Sequence, residues 1–325
     1  TSQTNADGKA TVTLKSTKKA VDNVTVKAQY KETAEVAADK TVSFIYELSS
    51  ARVGTVKLDG TVTQKIADGT SFFTYTAQVV DGNGNPVRKA DLVVNWTQNK
   101  GNDVVLSATT SKTRADGTAT ITLKSTTTAV DNVTVSGQYE STATVAANKT
   151  VSFIFELTSA KVGTVKLDGD VVQKVADGVN AFTYTAQLVD GNGNPVRQAD
   201  LVVNWTQDKG NDVALSATTS KTDATGKATI TLTSTKKAVD TITVSAQYES
   251  TPVVAADKTV SFIYDLASAH VSTVALGGTV TEKVADGVSY FTYTAQLVDV
   301  NNNPIRKADL DVKWTQDKGT DVTLS

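Results

Sequence analysis

The chain has 325 residues, with 32 basic and 34 acidic side chains, one histidine, and neither cysteine nor methionine. This mixed, nearly cancelling charge makes nucleic acid and anionic membrane poor partners, and no apolar run is long enough to cross a bilayer. Without cysteine there is no disulfide staple, thiolate zinc site or cysteine nucleophile.

The absence of sulfur fits two histories: export through an oxidising compartment, or a sulfur-free parent unit that was copied. Copying is visible directly. Trp96, Trp205 and Trp314 stand 109 residues apart, closing DGNGNPVRKADLVVNW, DGNGNPVRQADLVVNW and DVNNNPIRKADLDVKW. Phe44, Phe153 and Phe262 keep the same spacing inside TVSFIYEL, TVSFIFEL and TVSFIYDL. A period of this length is the size of one domain, so each copy can bury its own core, unlike a solenoid repeat. The register divides the chain into a closing half-repeat (1–50), two complete repeats (51–159 and 160–268) and an opening half-repeat (269–325). Starting mid-pattern and without Met, the chain is expected to be an internal piece of something longer.

In chain order, residues 1–50 predict the closing strands Ala10–Leu14, Val24–Tyr30 and Thr41–Leu48. The complete pattern is clearest from Ala160. Val162–Leu167 and Val171–Val175 are short β-branched runs separated by the turn pair Asp168-Gly169. In FTYTAQLVD, Phe182, Tyr184, Ala186 and Leu188 alternate with polar residues, so one face is buried, and Tyr75 and Tyr293 occupy the place of Tyr184. The place of Ala181 holds Phe72 and Tyr290 in the other copies, a volume change that puts this parity outside. Asp190–Pro195 reads as a loop. Leu201, Val203 and Trp205 then share an inward face, with Trp96 and Trp314 as the matching core anchors. Lys209–Asp212 turns the chain into a run over Val213–Thr222, and Asp223–Gly226 is expected to be a hairpin connection. Ala228, Ile230 and Leu232 alternate with threonine, Ile242–Tyr248 forms a further strand, and Thr259–Leu266 closes the repeat with Val260, Phe262 and Tyr264 inward.

Seven or eight short strands per repeat, Thr-rich outside and Val-rich inside, predict an all-β chain of tandem immunoglobulin-like sandwiches, each of two antiparallel sheets. A closed barrel is the weaker alternative. The junction Leu157–Val162 has no Gly or Pro, so little hinging is expected and the repeats should stack end to end as a rod.

Residues 269–325 hold only opening strands, and the two halves together fall two residues short of one period. Val12, Leu14, Val26, Phe44 and Tyr46 would face water, as would Phe291, Tyr293, Leu297 and Trp314. Either the chain is a window on a continuous repeat, or the opening half of one molecule is completed by the closing half of the next, giving a filament. Both place Thr1 of one copy near Ser325 of a neighbour.

The combination of DGNGNPV, a Trp-bearing strand, ADGTATITLKST, VTVSGQY and TVSFIFEL resembles the bacterial Ig-like domain group 1, which builds the stalks of the intimin and invasin adhesins, the inverse autotransporters. The resemblance covers all copies. It implies an outer-membrane anchor upstream, display on the bacterial surface, and a rigid stalk whose tip binds a host cell or another bacterium. No segment here matches an anchor or tip. The alternatives are a ligand-binding Ig-like module or a self-assembling filament subunit.

No enzyme is expected. His270 is the one histidine, its counterparts are Arg52 and Lys161, and no Ser or Thr stands in a repeated relation to it, so a hydrolytic triad cannot be assembled. No cofactor is expected either. Asp81, Asn83 and Asn85, with Asp190, Asn192 and Asn194, alternate as at the start of a calcium loop. However, Pro86 stands where that loop needs Gly and Leu92 where it needs Glu. A turn is the favoured reading and a weak calcium site the alternative. Neighbouring repeats are the expected partners.

Overall fold

Strands β1 (Val21–Val24), β2 (Lys27–Ala28), β3 (Val36–Ala37) and β4 (Val42–Phe44) open a computed structural model that describes residues 1–325. Regular structure is strand joined by turns and short 3-10 turns, and no helix is long and apolar enough to cross a membrane. Two compact units divide the chain, Thr1–Glu156 and Leu157–Ser325.

In the first unit the strands continue as β5 (Arg52–Leu58), β6 (Gln64–Ile66), β7 (Phe72–Val80), β8 (Val93–Gln98), β9 (Val104–Leu106) and β10 (Thr110–Lys112). They end with β11 (Thr118–Ser125), β12 (Val130–Val133), β13 (Val135–Tyr139), β14 (Val145–Ala146) and β15 (Val151–Ile154). One antiparallel sheet has the order β5-β7-β11-β9 and a second β10-β8-β13-β14. Alternation decides which side is dry. Phe73, Tyr75, Ala77 and Val79 are buried on β7, while Phe72 is exposed and Thr74, Thr76 and Gln78 are half-buried. Ala119, Ile121 and Leu123 complete the same inner face from β11. Trp96 faces them from β8 at 3% exposure, and its Nε1–H donates to Ser111 Oγ at 2.8 Å, so the buried indole keeps a partner. The Phe73 and Phe153 rings meet edge to face at 5.1 Å.

The second unit repeats this with β16 (Lys161–Leu167), β17 (Gln173–Val175), β18 (Ala181–Val189), β19 (Val202–Gln207), β20 (Val213–Leu215), β21 (Thr219–Lys221) and β22 (Lys227–Ser234). There follow β23 (Val239–Ile242), β24 (Val244–Tyr248), β25 (Val254–Ala255), β26 (Val260–Ile263), β27 (His270–Leu276) and β28 (Tyr293–Val298). Tyr184, Phe262 and Trp205 are buried as their counterparts are.

Several expectations need correction. The run expected over Val213–Thr222 is broken, because β20 pairs with β22 and β21 with β19, in different sheets. Asp223–Gly226 is therefore a crossing between sheets and not a hairpin within one. Ile242–Tyr248 is likewise divided, β23 pairing with β26 and β24 with β19. Val171 and Val172 stay exposed outside β17. A third, three-stranded sheet joins β12, β15 and β6, and β6 runs parallel to β15. These switches raise the complete repeat to eleven strands.

The half-repeats lose strands for a simple reason: a strand needs a ladder partner. Ala10–Leu14 forms none, whereas its counterpart β11 is held between β7 and β9. Around Trp314 there is no strand either, and Trp314 is 40% exposed. Tyr293 is 51% exposed and Phe44 half-buried, so these two, with Trp314, are not the closed core anchors that their counterparts are. Strands within each half pair only with one another.

Candidate functional site: the DGNGNP loop

Six residues of plain turn chemistry acquire a second role where one repeat meets the one before it. In the first unit Gly84 N–H donates to Asp81 O at 3.0 Å and Asp81 N–H to Asn85 O at 2.9 Å, closing the loop on itself. The Asp81 carboxylate sits inside at 1% exposure. Its Oδ1 accepts from the N–H groups of Asn83 (2.9 Å) and Asn85 (2.8 Å). Its Oδ2 accepts from Asn85 Nδ2 at 2.9 Å and, from the preceding half-repeat, Glu47 N–H at 3.2 Å. Burial pushes the Asp81 pKa up, and these hydrogen bonds more than offset it, leaving the carboxyl below its ordinary value.

Asn85 carries the grip further. Its Oδ1 accepts from Ala20 N–H at 2.8 Å and its Nδ2 donates to Lys18 O at 2.9 Å. Gly82 N–H donates to Ser50 Oγ at 2.8 Å, Tyr46 OH to Arg88 O at 3.2 Å, and Arg88 pairs with Asp22 at 2.9 Å. The loop thus holds the turn at residues 18–20 with the start of β1, and the segment at residues 46–50 that follows β4.

The second unit builds the same junction from Asp299–Asn303. Asp299 is fully buried; its Oδ1 accepts from the N–H groups of Asn301 and Asn303, both at 2.8 Å, and its Oδ2 from Asn303 Nδ2 at 2.9 Å and Asp265 N–H at 3.1 Å. Asn303 Oδ1 accepts from Ala238 N–H at 2.7 Å and its Nδ2 donates to Lys236 O at 2.9 Å. Val300 N–H reaches Ser268 Oγ, and Tyr264 OH reaches Arg306 O. Here too hydrogen bonding outweighs burial and lowers the carboxyl pKa. Asn302 takes the positive φ, +62°, that Gly84 takes in the first loop, a conformation Asn tolerates better than most residues. In the middle loop Asp190 accepts from Asn192 N–H, Asn194 N–H and Asn194 Nδ2, each at 2.9 Å.

The calcium candidates do not converge as an oxygen cage would. Asn85 and Asn194 turn their amide nitrogens to the aspartate, and Asn85 Oδ1 points to Ala20. No group of three or more His, Cys, Asp or Glu side chains gathers anywhere. His270 is exposed, with Nδ1 3.2 Å from Ser268 O. Sequence reasoning missed Ser50, Ser268 and the turn at Lys18–Ala20. It also aimed Tyr264 at the core, whereas its hydroxyl reaches the next repeat. The available signal was that Tyr46 and Tyr264 share one place in the period.

The bacterial Ig-like domain (group 1) family matches residues 55–154 and 156–263. The inverse autotransporter adhesin YeeJ of Escherichia coli (strain K12) is 30% identical over 259 residues, 77% of this chain and 10% of YeeJ. Intimin of Escherichia coli O127:H6 (strain E2348/69 / EPEC) is 34% identical over 184 residues, 57% of this chain and 18% of intimin. Among solved structures, the D0-D1 domain of intimin shares 35% identity over 65% of this chain and 98% of its own, with a TM-score of 0.29. The chain spans only 10% and 18% of the length of these two curated relatives. Two successive family matches, with strand patterns and buried aromatics that repeat in step, show that the chain belongs to the bacterial Ig-like domain (group 1) family, as a tandem Ig-like segment similar to those of intimin and YeeJ.

Proposed function

We propose that this chain is a stretch of stalk in a bacterial surface adhesin, one that holds a binding tip away from the cell. The observation that carries the reading is the buried aspartate junction, with the same bonds at Asp81–Asn85 and at Asp299–Asn303. A spacer needs joints that do not swing, and a joint centred on a buried, fully paired carboxylate resists bending. Each bond contributes about 0.5–1.5 kcal/mol net, and a stranded partner costs more. The repeats 51–159 and 160–268 are the spacing units, and anchoring to the outer membrane belongs to a region outside this segment. Any receptor, on a host cell or another bacterium, is met by the tip and not by these repeats.

In this reading the DGNGNP loop is a hydrogen-bonded clamp, and its aspartate needs no calcium because N–H donors already surround it. Small-angle scattering on residues 51–268 tests the spacer. At ~40 Å per sandwich the piece should behave as a rod of about 80 Å, and a compact or broadly bent particle would sink the idea. A thermal midpoint unchanged by millimolar calcium is expected in the same sample, since a ligand of the folded state must raise it.

A further inference from the structure

The parallel pairing of β6 with β15 and of β17 with β26 has no part in the junction and is unusual in an otherwise antiparallel fold. β6 follows the strand by which the chain enters the repeat, and β15 is the strand by which it leaves. Their register is Gln64 opposite Ser152, Lys65 opposite Phe153 and Ile66 opposite Ile154. Flanking bonds extend it, Ser152 N–H to Thr63 O and Ala67 N–H to Ile154 O, both at 2.8 Å. Upstream, Val56 bridges Ala147 in parallel, Asn148 N–H donates to Val56 O, and Leu58 N–H donates to Asn148 Oδ1 at 3.0 Å. The second unit has the same set: Gln173–Val175 beside Ser261–Ile263, Ser261 N–H to Val172 O, Ala176 N–H to Ile263 O, and Asp257 beside Val165 and Leu167. Side chains pin β6. The Lys65 ammonium donates to Phe72 O and lies over the Phe73 ring, which in turn packs on Phe153 of the leaving strand.

We propose that this parallel pair is the force-bearing clamp of each complete repeat. Tension along the chain, transmitted through the strand before it, pulls β6 backward and pulls β15 forward. Two parallel strands drawn apart in that way slide along their common axis, so every bond between them is loaded at once and must fail together. An antiparallel pair of first and last strands would be peeled, one bond at a time. The proposal rests on the spacer reading only for the source of the tension; the direction dependence belongs to the fold itself.

The absence of cysteine allows handles to be placed at will. Val171→Cys with Leu266→Cys pulls β17 and β26 from opposite ends of their pairing, in shear. Val179→Cys with Leu266→Cys pulls from the shared end and peels β26. All three side chains are exposed, and matching thermal midpoints for the two double variants verify that both are folded to the same stability. Single-molecule pulling of the full chain should give an unfolding force at least about twofold higher for the first pair at equal loading rate, since forced unfolding is governed by the unfolding rate along the pulled direction. Equal forces, or a stronger second pair, would overturn the clamp. Scattering reports spacing and not strength, so that outcome would leave the spacer reading standing.

Discussion

Asp81 sits almost out of contact with water, and four N–H donors, more than any solvent, keep its carboxylate charged. Asp81→Asn places an amide nitrogen or a lone oxygen where two sets of donors converge, leaving at least one buried N–H unpaired. A loss of about 1–3 kcal/mol in urea unfolding is expected. The pH dependence has a definite sign. A carboxyl held below its unfolded value, ~3.9, stabilises fully above that value and loses the contribution as pH falls through the folded one. Asp81 and Asp299 are lowered, and Asp68, bound by the Ser71 and Thr70 N–H groups, is lowered to about 2. The thermal midpoint should hold from neutral pH to about 4 and then fall, with a shallower fall in Asp81→Asn. Two backbone positions give opposite expectations. Gly117, at φ +79°, has Val87 O only 2.1 Å from where a Cβ would stand, so Gly117→Ala should cost upward of about 2 kcal/mol. Thr241 holds φ +57°, which Asn23 and Asn132 hold in the other copies, so Thr241→Asn should stabilise by about 0.5–1.5 kcal/mol in the same unfolding assay.

At the level of strands, alternation was enough to find what faces inward. Tyr75, Tyr184, Trp96, Trp205, Phe153 and Phe262 are as buried as their spacing implied. Pairing is another matter, since period two says which face is dry but not which strand lies alongside. The parallel β6–β15 pair and the sheet switches at residues 216–218 and 243 therefore could not be read from the pattern. The loop was legible as a turn from its Asn, Gly and Pro, while the clamp was not, because Asn85 finds Ala20 some 65 positions away. The same dependence on partners governs Ala10–Leu14, whose inward residues alternate properly yet form no strand. Fusing a copy of residues 51–109 ahead of Thr1 supplies the missing neighbour. Hydrogen exchange should then show the Thr11–Leu14 amides slowed toward the level of Thr120–Leu123. Unchanged rates would mean the segment lacks strand character of its own.

Across the whole molecule, repetition turns one junction into a mechanical property. The clamp seen at Asp81 and Asp299 is a buried carboxylate with short polar contacts, and in the proposed stalk its stiffness should accumulate with copy number while its failure should accumulate as well. The near-neutral balance of 32 basic and 34 acidic groups gives successive repeats no strong net repulsion to keep them apart. In the proposed spacer, straightness has to come from the joints. Tandem chains built from two, three and four complete repeats should lengthen by about 40 Å per repeat in small-angle scattering. With every loop aspartate (Asp81, Asp190 and their copies) changed to Asn, each repeat keeps its own Trp, Phe and Tyr core and should still melt cooperatively. The maximum dimension should then grow more slowly with copy number and the distance distribution should broaden, because a hinge at every joint lets the ends fold back. Growth that stays linear and unchanged in the variants would show that the aspartate clamp does not set the angle between repeats, whatever it does for the loop itself.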